Sequence, residues 1–449
     1  MMSQTDLSTG VSAAGDVDLH EVTLITATGA EIDIRLYVSE LNLYEDMFRT
    51  GLAGNLLIID NANLTQRHGI IGDEYVRIKF FTPSMEGAAI YKTFKVYSIT
   101  DKIFTNDTAK QSYIMHFCSP EIIVDALSPV YRTFEGKVDA VVKKIFEDYV
   151  AVSRTGESKF STLVILGETQ NQVKFTSPGW RPLKCLNWLA SKAIGAGYNN
   201  PGYLFFESNK NFYFTNVEQI YKTYNDSKTV AQTYVYAPLG HANTDDSLYV
   251  SNIDRQYKTV SDFKIIENIN ILKNSMNGYL ANRLFTLDVV TKKYEIYDYD
   301  HVNNWNGYHH MEPTPVPPFS TGGIGSLRTA AGHQKVAMQH FGLYTGYRNN
   351  VADKAADIVP RRTSTLNELN NFKIEITVPG RTDMEVGSVV KFIYPIATPL
   401  DASDKNKLNY DRILTGNYLV TAIRHKVDLQ RHSMVLELVK DSFNGNTSI

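Results

Sequence analysis

The stretch EIYDYDHVNNWNGYHH, Glu295 to His310, sets three carboxylates (Glu295, Asp298, Asp300) and three histidines (His301, His309, His310) among Tyr and Trp side chains. On a strand, the two-residue period puts Asp298 and Asp300 on one face. Two carboxylates so placed could share a divalent cation, or act as the acid and base that cleave a sugar linkage. The spacing matches no established ligand motif, however, and adjacent histidines on a strand send their rings to opposite faces. A solvated strand end or a subunit contact is therefore expected. No catalytic, cofactor-binding or metal-ligating residue is assigned, and no cofactor is expected.

The remaining reactive types are dispersed. His241, His333, His340, His425 and His432 lack ligand spacing and read as surface or hydrogen-bonded structural histidines. Gly69, Gly72, Gly195, Gly197 and the Gly322 to Gly325 group never form a phosphate-cradling loop followed by Lys and Ser/Thr, and no GxSxG elbow is present. Nucleotide use and acyl transfer are thereby disfavoured. Cys118 and Cys185 stand far apart and read as reduced, buried thiols. The acceptor patterns at Asn63 and Asn106 read as chance matches.

The elements that would carry these residues are mostly strands. Ile32, Ile34 and Leu36 alternate with Asp33 and Arg35, and Val76, Ile78 and Phe80 alternate with Arg77 and Lys79. Phe94, Val96, Tyr113, Met115 and Phe117 complete five or six short strands before Pro120. The period then changes: Val138, Val141, Val142, Ile145, Phe146 and Tyr149 fall at helical spacing, predicting an amphipathic helix over Gly136 to Val150. A second helix is expected after Trp180, with Pro182 in its first turn and Gly195 as its cap, followed by a hairpin over residues 202 to 218 with an Asn209-Lys210-Asn211 turn. Strands resume from Leu248, with a connector around Asn274 to Gly278. Residues 301 to 366 break the pattern, Ala330 to Phe341 reading as helix. Ile374 and Ile376 open a closing set of strands that ends near Leu438.

The chain has 449 residues, 43% apolar and 21% charged, with 27 Tyr and 21 Phe. That length calls for about three domains, and the aromatic content favours strands. A formal charge of -3 without runs of Lys or Arg lacks the footprint of a dedicated nucleic-acid binder. No basic-then-apolar leader opens the sequence and no 18-residue apolar run interrupts it, so the chain is expected to be neither exported by a signal peptide nor membrane-spanning.

Two blocks carry a family likeness. In Tyr44 to Pro83, YEDMFRTGLAGNLLIIDNANLTQRHGIIGDEYVRIKFFTP, Tyr44 and Glu45 lead into a turn at Gly51 and Gly54. The apolar run Leu56 to Ile59 then stops at Asp60, and a polar connector ends at Gly72 before the alternating strand. In Asn371 to Phe443, a strand, a VPG turn, an EVG turn, the TGNYLV strand, AIRH and a final strand succeed one another. This order resembles the baseplate hub proteins of T4-like contractile-tailed phages. The likeness covers roughly the first and last quarters of the chain.

What the resemblance implies is a β-rich α+β chain with two tail-tube-like β-barrels, an α+β domain and an inserted segment. The expected map is a flexible segment at 1–18, a first barrel at 19–119, the α+β domain at 120–240, the first part of a second barrel at 241–300, an irregular and helical insertion at 301–366, and the remainder of that barrel with a tail at 367–449. No residue-level repeat relates residues 22 to 117 to residues 248 to 441. The implied protein is a structural virion component of a myovirus baseplate with no enzymatic activity, assembled in the host cytoplasm. It would form a homotrimeric ring adapting a hexameric tail tube to a trimeric cell-puncturing spike. Its partners would be the spike protein, the tube or tube-initiator protein and baseplate wedge proteins, with DNA passing through unbound. Two alternatives remain: a tail-associated cell-wall or glycan hydrolase using Glu295, Asp298 and Asp300, and a glycan-binding tail module stacking sugars on tyrosines.

Overall fold

The computed structural model describes residues 11–104, 110–151, 161–197, 200–237, 251–288, 291–315, 333–338, 354–396, 410–428 and 431–443. The expectations for His241, Leu248, His340, Asn106, Gly322 to Gly325, the first ten residues, the C-terminal tail after Phe443 and the rest of the insertion fall outside that set.

The first seven strands are β1 (Asp18–Ile25), β2 (Glu31–Asp33), β3 (Val38–Asp46), β4 (Ala53–Asp60), β5 (Tyr75–Phe81), β6 (Ile90–Phe104) and β7 (Gln111–Cys118), with a short helix α1 (Leu64–Arg67) after β4. They pair antiparallel in the order β2, β1, β5, β6, β7, β4, β3. Alternation drives this curl. Val76, Ile78 and Phe80 of β5 are buried while Arg77 and Lys79 face outward, and the inward rows meet in one core with Leu41, Leu56, Phe94 and Met115.

The middle of the chain holds α2 (Pro120–Leu127), β8 (Thr133–Lys137), α3 (Val138–Ile145), β9 (Leu163–Leu166), β10 (Gln172–Thr176), α4 (Pro182–Ala190), β11 (Tyr203–Glu207), β12 (Phe212–Asn216) and α5 (Val217–Ser227). Its separate core sets Val138, Val142 and Ile145 against Leu186, Phe205 and Phe212. The helix predicted to reach Val150 ends in a π turn over Phe146–Val150. The helix predicted to reach Gly195 stops at Ala190, because Ser191 and Lys192 already turn the chain back.

The second barrel closes on itself. It uses β13 (Thr233–Tyr236) and, after α6 (Asn252–Lys258), β14 (Thr259–Val260) and β15 (Asp262–Glu267). Next come α7 (Ile271–Asn277), β16 (Ala281–Leu287), β17 (Tyr294–Asp300), α8 (His301–Asn304), β18 (Thr314–Pro315), β19 (His333–Met338) and α9 (Ala355–Glu368). The chain finishes with β20 (Lys373–Pro379), β21 (Val389–Ile393), β22 (Gly416–Asp428), β23 (His432–Val439) and β24 (Ser442–Phe443). Around the barrel the order is β13, β21, β22, β23, β20, β15, and β14, separated from β15 by Ser261 alone, pairs back onto β13.

Several elements differ from the sequence reading. Among the described residues, β16 and β17 join no barrel strand. They pair with each other and with β19 in a separate sheet. β19 lies where a helix over Ala330 to Phe341 was expected, because the open edge of β16 gives its backbone a parallel partner and that pairing outweighs a weak helical period. The connector near Asn274 is itself a helix, α7, capped by the Asn270 side chain and ended by Gly278 at φ 78°.

The two barrels repeat a five-strand unit in which β3, β4, β5, β6 and β7 correspond to β15, β20, β21, β22 and β23. Chain order and pairing order agree. So does the register: Cys118 faces Ala53 and Lys95 as Val439 faces Lys373 and Leu419. Both long strands carry a bulge at the same point, at Tyr97 and Thr421. Val96 N–H donates to Glu74 O at 2.8 Å, and its counterpart Val420 N–H donates to Ser388 O at 2.9 Å.

Candidate functional site

The carboxylates singled out by the sequence do not converge. Asp298 meets the Arg283 guanidinium at 2.6 and 2.9 Å and is largely solvated. Asp300 caps α8 through Asn303 N–H. Glu295 is held by Lys293 and the Tyr297 hydroxyl, and the Lys293 hydrogen bond, followed by that of Tyr297, holds its carboxyl below the usual range. Asp298 and Glu295 are each paired with their own cation and Asp300 is spent on a helix cap, so the three do not face a common cleft.

His309 and His310 do not sit on a strand. The chain turns after Gly307 and drives His310 inward, where its ring stacks on Trp305 with centroids 3.4 Å apart and planes 6° apart. His310 Nε2 lies 3.1 Å from Trp305 O, and Nδ1 lies 3.2 Å from Asp441 Oδ2 and 3.7 Å from Glu368 Oε1. His301 joins from α8, its Nε2 3.9 Å from Glu368 Oε1. Asp441 also accepts from Met311 N–H at 3.1 Å and from the Ser442 hydroxyl at 2.7 Å. Glu218, on α5, accepts from His309 N–H at 3.0 Å, and burial pushes its carboxyl up to about 7. The His310, Glu368 and Asp441 donor atoms all lie within 4.8 Å of one another. Sequence reasoning missed this cluster because Glu368 and Asp441 lie far along the chain from His310 and carry no spacing signal.

A second polar knot joins the barrels. His425 and His432 are buried, their Nδ1 and Nε2 atoms 3.0 Å apart, and His425 Nε2 lies 3.0 Å from Glu45 Oε1. Asn209 N–H, at the tip of the β11–β12 hairpin, donates to Glu45 Oε2 at 3.0 Å. The same tip places Glu207 so that it accepts from Leu52 N–H and pairs with Lys92, both in the first barrel, while the Asn209 side chain donates to Met384 O in the second. The hairpin thus wedges both barrels into one orientation.

The surface feature that distinguishes the molecule is a pair of open strand edges. On β22, one edge pairs with β23 while the other is used twice, by β21 over Gly416 to Leu419 and by β3 over Ala422 to Asp428. The corresponding edge of β6 is used once, by β5 over Ile90 to Lys95. Among the described residues no strand pairs with it from Ser98 to Phe104. Likewise β3 has partners on both edges, whereas among the described residues its counterpart β15 pairs only with β20. Apolar side chains mark both vacant edges: Ile103 and Phe104 on β6 are 63% and 69% exposed, and Ile265 and Ile266 on β15 are 41% each.

Among solved structures the chain is similar to a tail protein from Neisseria meningitidis, with a TM-score of 0.53 at 11% identity over 94% of this chain and 96% of that one. It is also similar to the 43 kDa tail protein of prophage MuSo2 from Shewanella oneidensis, with a TM-score of 0.50 at 10% identity over 94% and 98%. No protein-family model matches the sequence, and no curated protein matches it. At such identities the likeness establishes a fold: the chain has the β-rich α+β architecture of these tail proteins over nearly its whole length.

Proposed function

We propose that the chain is a structural subunit of a contractile phage-tail baseplate, the central hub. Three copies would form a ring that joins a hexameric tail tube to a trimeric spike, within the tail and without enzymatic activity. The fold shared with two tail proteins supports the tail assignment. The observation that carries the ring is the β3–β22 contact, which exists once inside the chain while both of its counterparts stand open. Repeating that contact between chains sets β15 of one copy against β6 of the next, a head-to-tail interface that closes when the rotation between barrels divides a full turn. Three chains then contribute six similar barrels, and each offers the tube above an equivalent surface. An open, flat, apolar strand edge on a virion protein is otherwise an aggregation hazard.

The register of β3 on β22 transfers through the pairing of β6 with β7 and of β15 with β20, once the extra residue that β6 carries between Thr100 and Ile103 is taken out of the count. Lys426 faces Asn42, so Ile103 should face Lys264 of the next copy, and Phe104 should face Phe263 as Val427 faces Leu41. A chain carrying Ile103→Cys and Lys264→Cys should form disulfide-linked dimers and trimers on mild oxidation, while either single variant should not. Cys118 and Cys185 are buried and contribute no background. Light scattering on the unmodified protein should give three times the 50.6 kDa chain mass. A monomer at micromolar concentration that also fails to join a spike protein would rule the hub reading out.

A further inference from the structure

His310, Glu368 and Asp441 present a charge problem that their own hydrogen bonds do not solve. With His310 Nε2–H donating to Trp305 O, Nδ1 turns a lone pair toward Asp441 Oδ2 at 3.2 Å and Glu368 Oε1 at 3.7 Å. Three electron-rich atoms converging in a buried space need a cation between them. A proton on Nδ1 would serve Asp441 but leave Glu368 Oε1 unpartnered. It would do nothing for His301 Nε2, which is also buried without a hydrogen-bond partner and lies 3.9 Å from that same Glu368 oxygen, too far for a hydrogen bond. His301 is 2% exposed and the Glu368 side chain 6%.

We propose that His310, Glu368 and Asp441 bind a zinc-class divalent metal ion, with His301 beside them. A tetrahedral zinc ion with bonds of about 2.0–2.1 Å separates its ligand atoms by about 3.3 Å, so the 3.2 and 3.7 Å spacings of His310 Nδ1 from Asp441 and Glu368 need only small closures, whereas His301, 3.9 Å from Glu368 Oε1 but outside the group of atoms within 4.8 Å of one another, would have to swing inward to join. An imidazole with two carboxylates favours zinc over calcium or magnesium, which take oxygen donors. The outer contacts are those of metal-bound histidines: His310 has its far nitrogen on a backbone carbonyl and its ring clamped on Trp305, and His301 has Nδ1 3.4 Å from the Tyr299 hydroxyl. The three donors come from the turn after α8, from α9 and from the residue preceding β24. The ion would therefore staple the segment between the barrel strands onto the end of the second barrel. The donors are buried, and the role proposed for the ion is to hold these segments together.

The test uses the full chain, incubated with excess ZnCl2, passed through gel filtration and analysed for bound metal. One zinc per chain should be retained, cobalt should replace it with the intensified visible absorption of a four-coordinate site, and a chelator should lower Tm by several degrees. His310→Ala and Asp441→Asn should each cut occupancy by about tenfold or more. Glu368→Gln, which keeps the side-chain volume, reads the same loss should either of those variants fail to fold. Less than a tenth of an equivalent of zinc on the unmodified chain, or a Tm indifferent to zinc and chelator, would overturn the proposal in favour of an imidazolium between two carboxylates. Zinc retained undiminished by a folded variant would overturn it equally.

Discussion

The far half of β22 and the far half of β6 are the same structural position in two barrels, and they meet opposite fates. On β22 that edge is covered by β3, and Val427 is buried in the first barrel's core. On β6 its counterpart Phe104, placed by the shared register, stands in solvent. A corresponding strand edge, bulged once more on β6 between Thr100 and Ile103, is thus filled once in cis and left open once. The chain behaves as two linked copies of a self-docking unit whose last contact can be made only by another molecule.

The sharpest way to break this comparison is to make the same change at both positions. Val427→Asp buries a carboxylate in an apolar core and should cost on the order of 5 kcal/mol, read as a large drop in the urea midpoint. Phe104→Asp should leave the monomer's midpoint within about 0.5 kcal/mol, since surface changes usually do, but should abolish the trimer. Equal loss of stability at both sites would show that the β6 edge is covered within the chain.

The hairpin wedge supplies the next largest effect. Glu45 accepts from Asn209 N–H and bonds His425 in a dry setting, so Glu45→Ala strands a buried N–H and an imidazole and should cost about 3–4 kcal/mol by chemical denaturation. The open β6–β15 edge has no such wedge. Trimer contacts should therefore dissociate at lower denaturant than the barrels separate from each other, and the reverse order would argue that the chain's own junction is the weaker one.

How much of this was legible follows from what leaves a periodic trace. The alternation of Val76, Ile78 and Phe80, and of Ile374 and Ile376, announced both barrels, since one buried face forces a two-residue period. The repeat stayed hidden because the barrels fill the same layers with different side chains. Gly54 sits opposite Phe117, whose ring would lie 2.4 Å from a Cβ there, while the matching pair in the second barrel is Ile374 and Leu438. At the strand ends Asp60 with Gln111 corresponds to Gly380 with His432. Register survives, identities and side-chain volumes do not, and a sequence comparison sees only identities. The His310 cluster was invisible for another reason: a loop buried by tertiary contact has no period at all.

The close packing at Gly54 is itself testable. Gly54→Ala pushes a methyl into Phe117 and toward Asn42 O at 2.4 Å, and should cost about 1–3 kcal/mol. Adding Phe117→Leu relieves the ring contact but not the backbone one, so the double variant should recover part of the loss. Strict additivity of the two changes in a double-mutant cycle would mean that the Phe117 ring is not what opposes the methyl.

The smallest effect concerns acid. His432 is fully buried, and burial first, then the neighbouring His425, holds its imidazole well below the usual histidine range. A consistent proton arrangement runs from His425 Nε2–H to Glu45 and from His432 Nε2–H to His425 Nδ1, leaving His432 Nδ1 without a partner. The unfolded chain, with a histidine near 6.5, binds a proton that the folded chain refuses, so this stability is complete above about pH 6.5 and is lost as pH falls below it, by at most about 1.4 kcal/mol per unit. Glu121 and Glu218, both pushed up to about 7 chiefly by burial, act in the opposite sense, their folded forms holding protons that the unfolded carboxyls release. The raw stability curve therefore mixes the two, and the difference between the unmodified chain and His432→Gln isolates the histidine. That difference should shrink on acidification from pH 7 to 5. Because Gln111 occupies the equivalent place in the first barrel, the same titration should leave the β6–β15 contact untouched, and trimers that part before the barrels loosen would break the distinction between the two junctions.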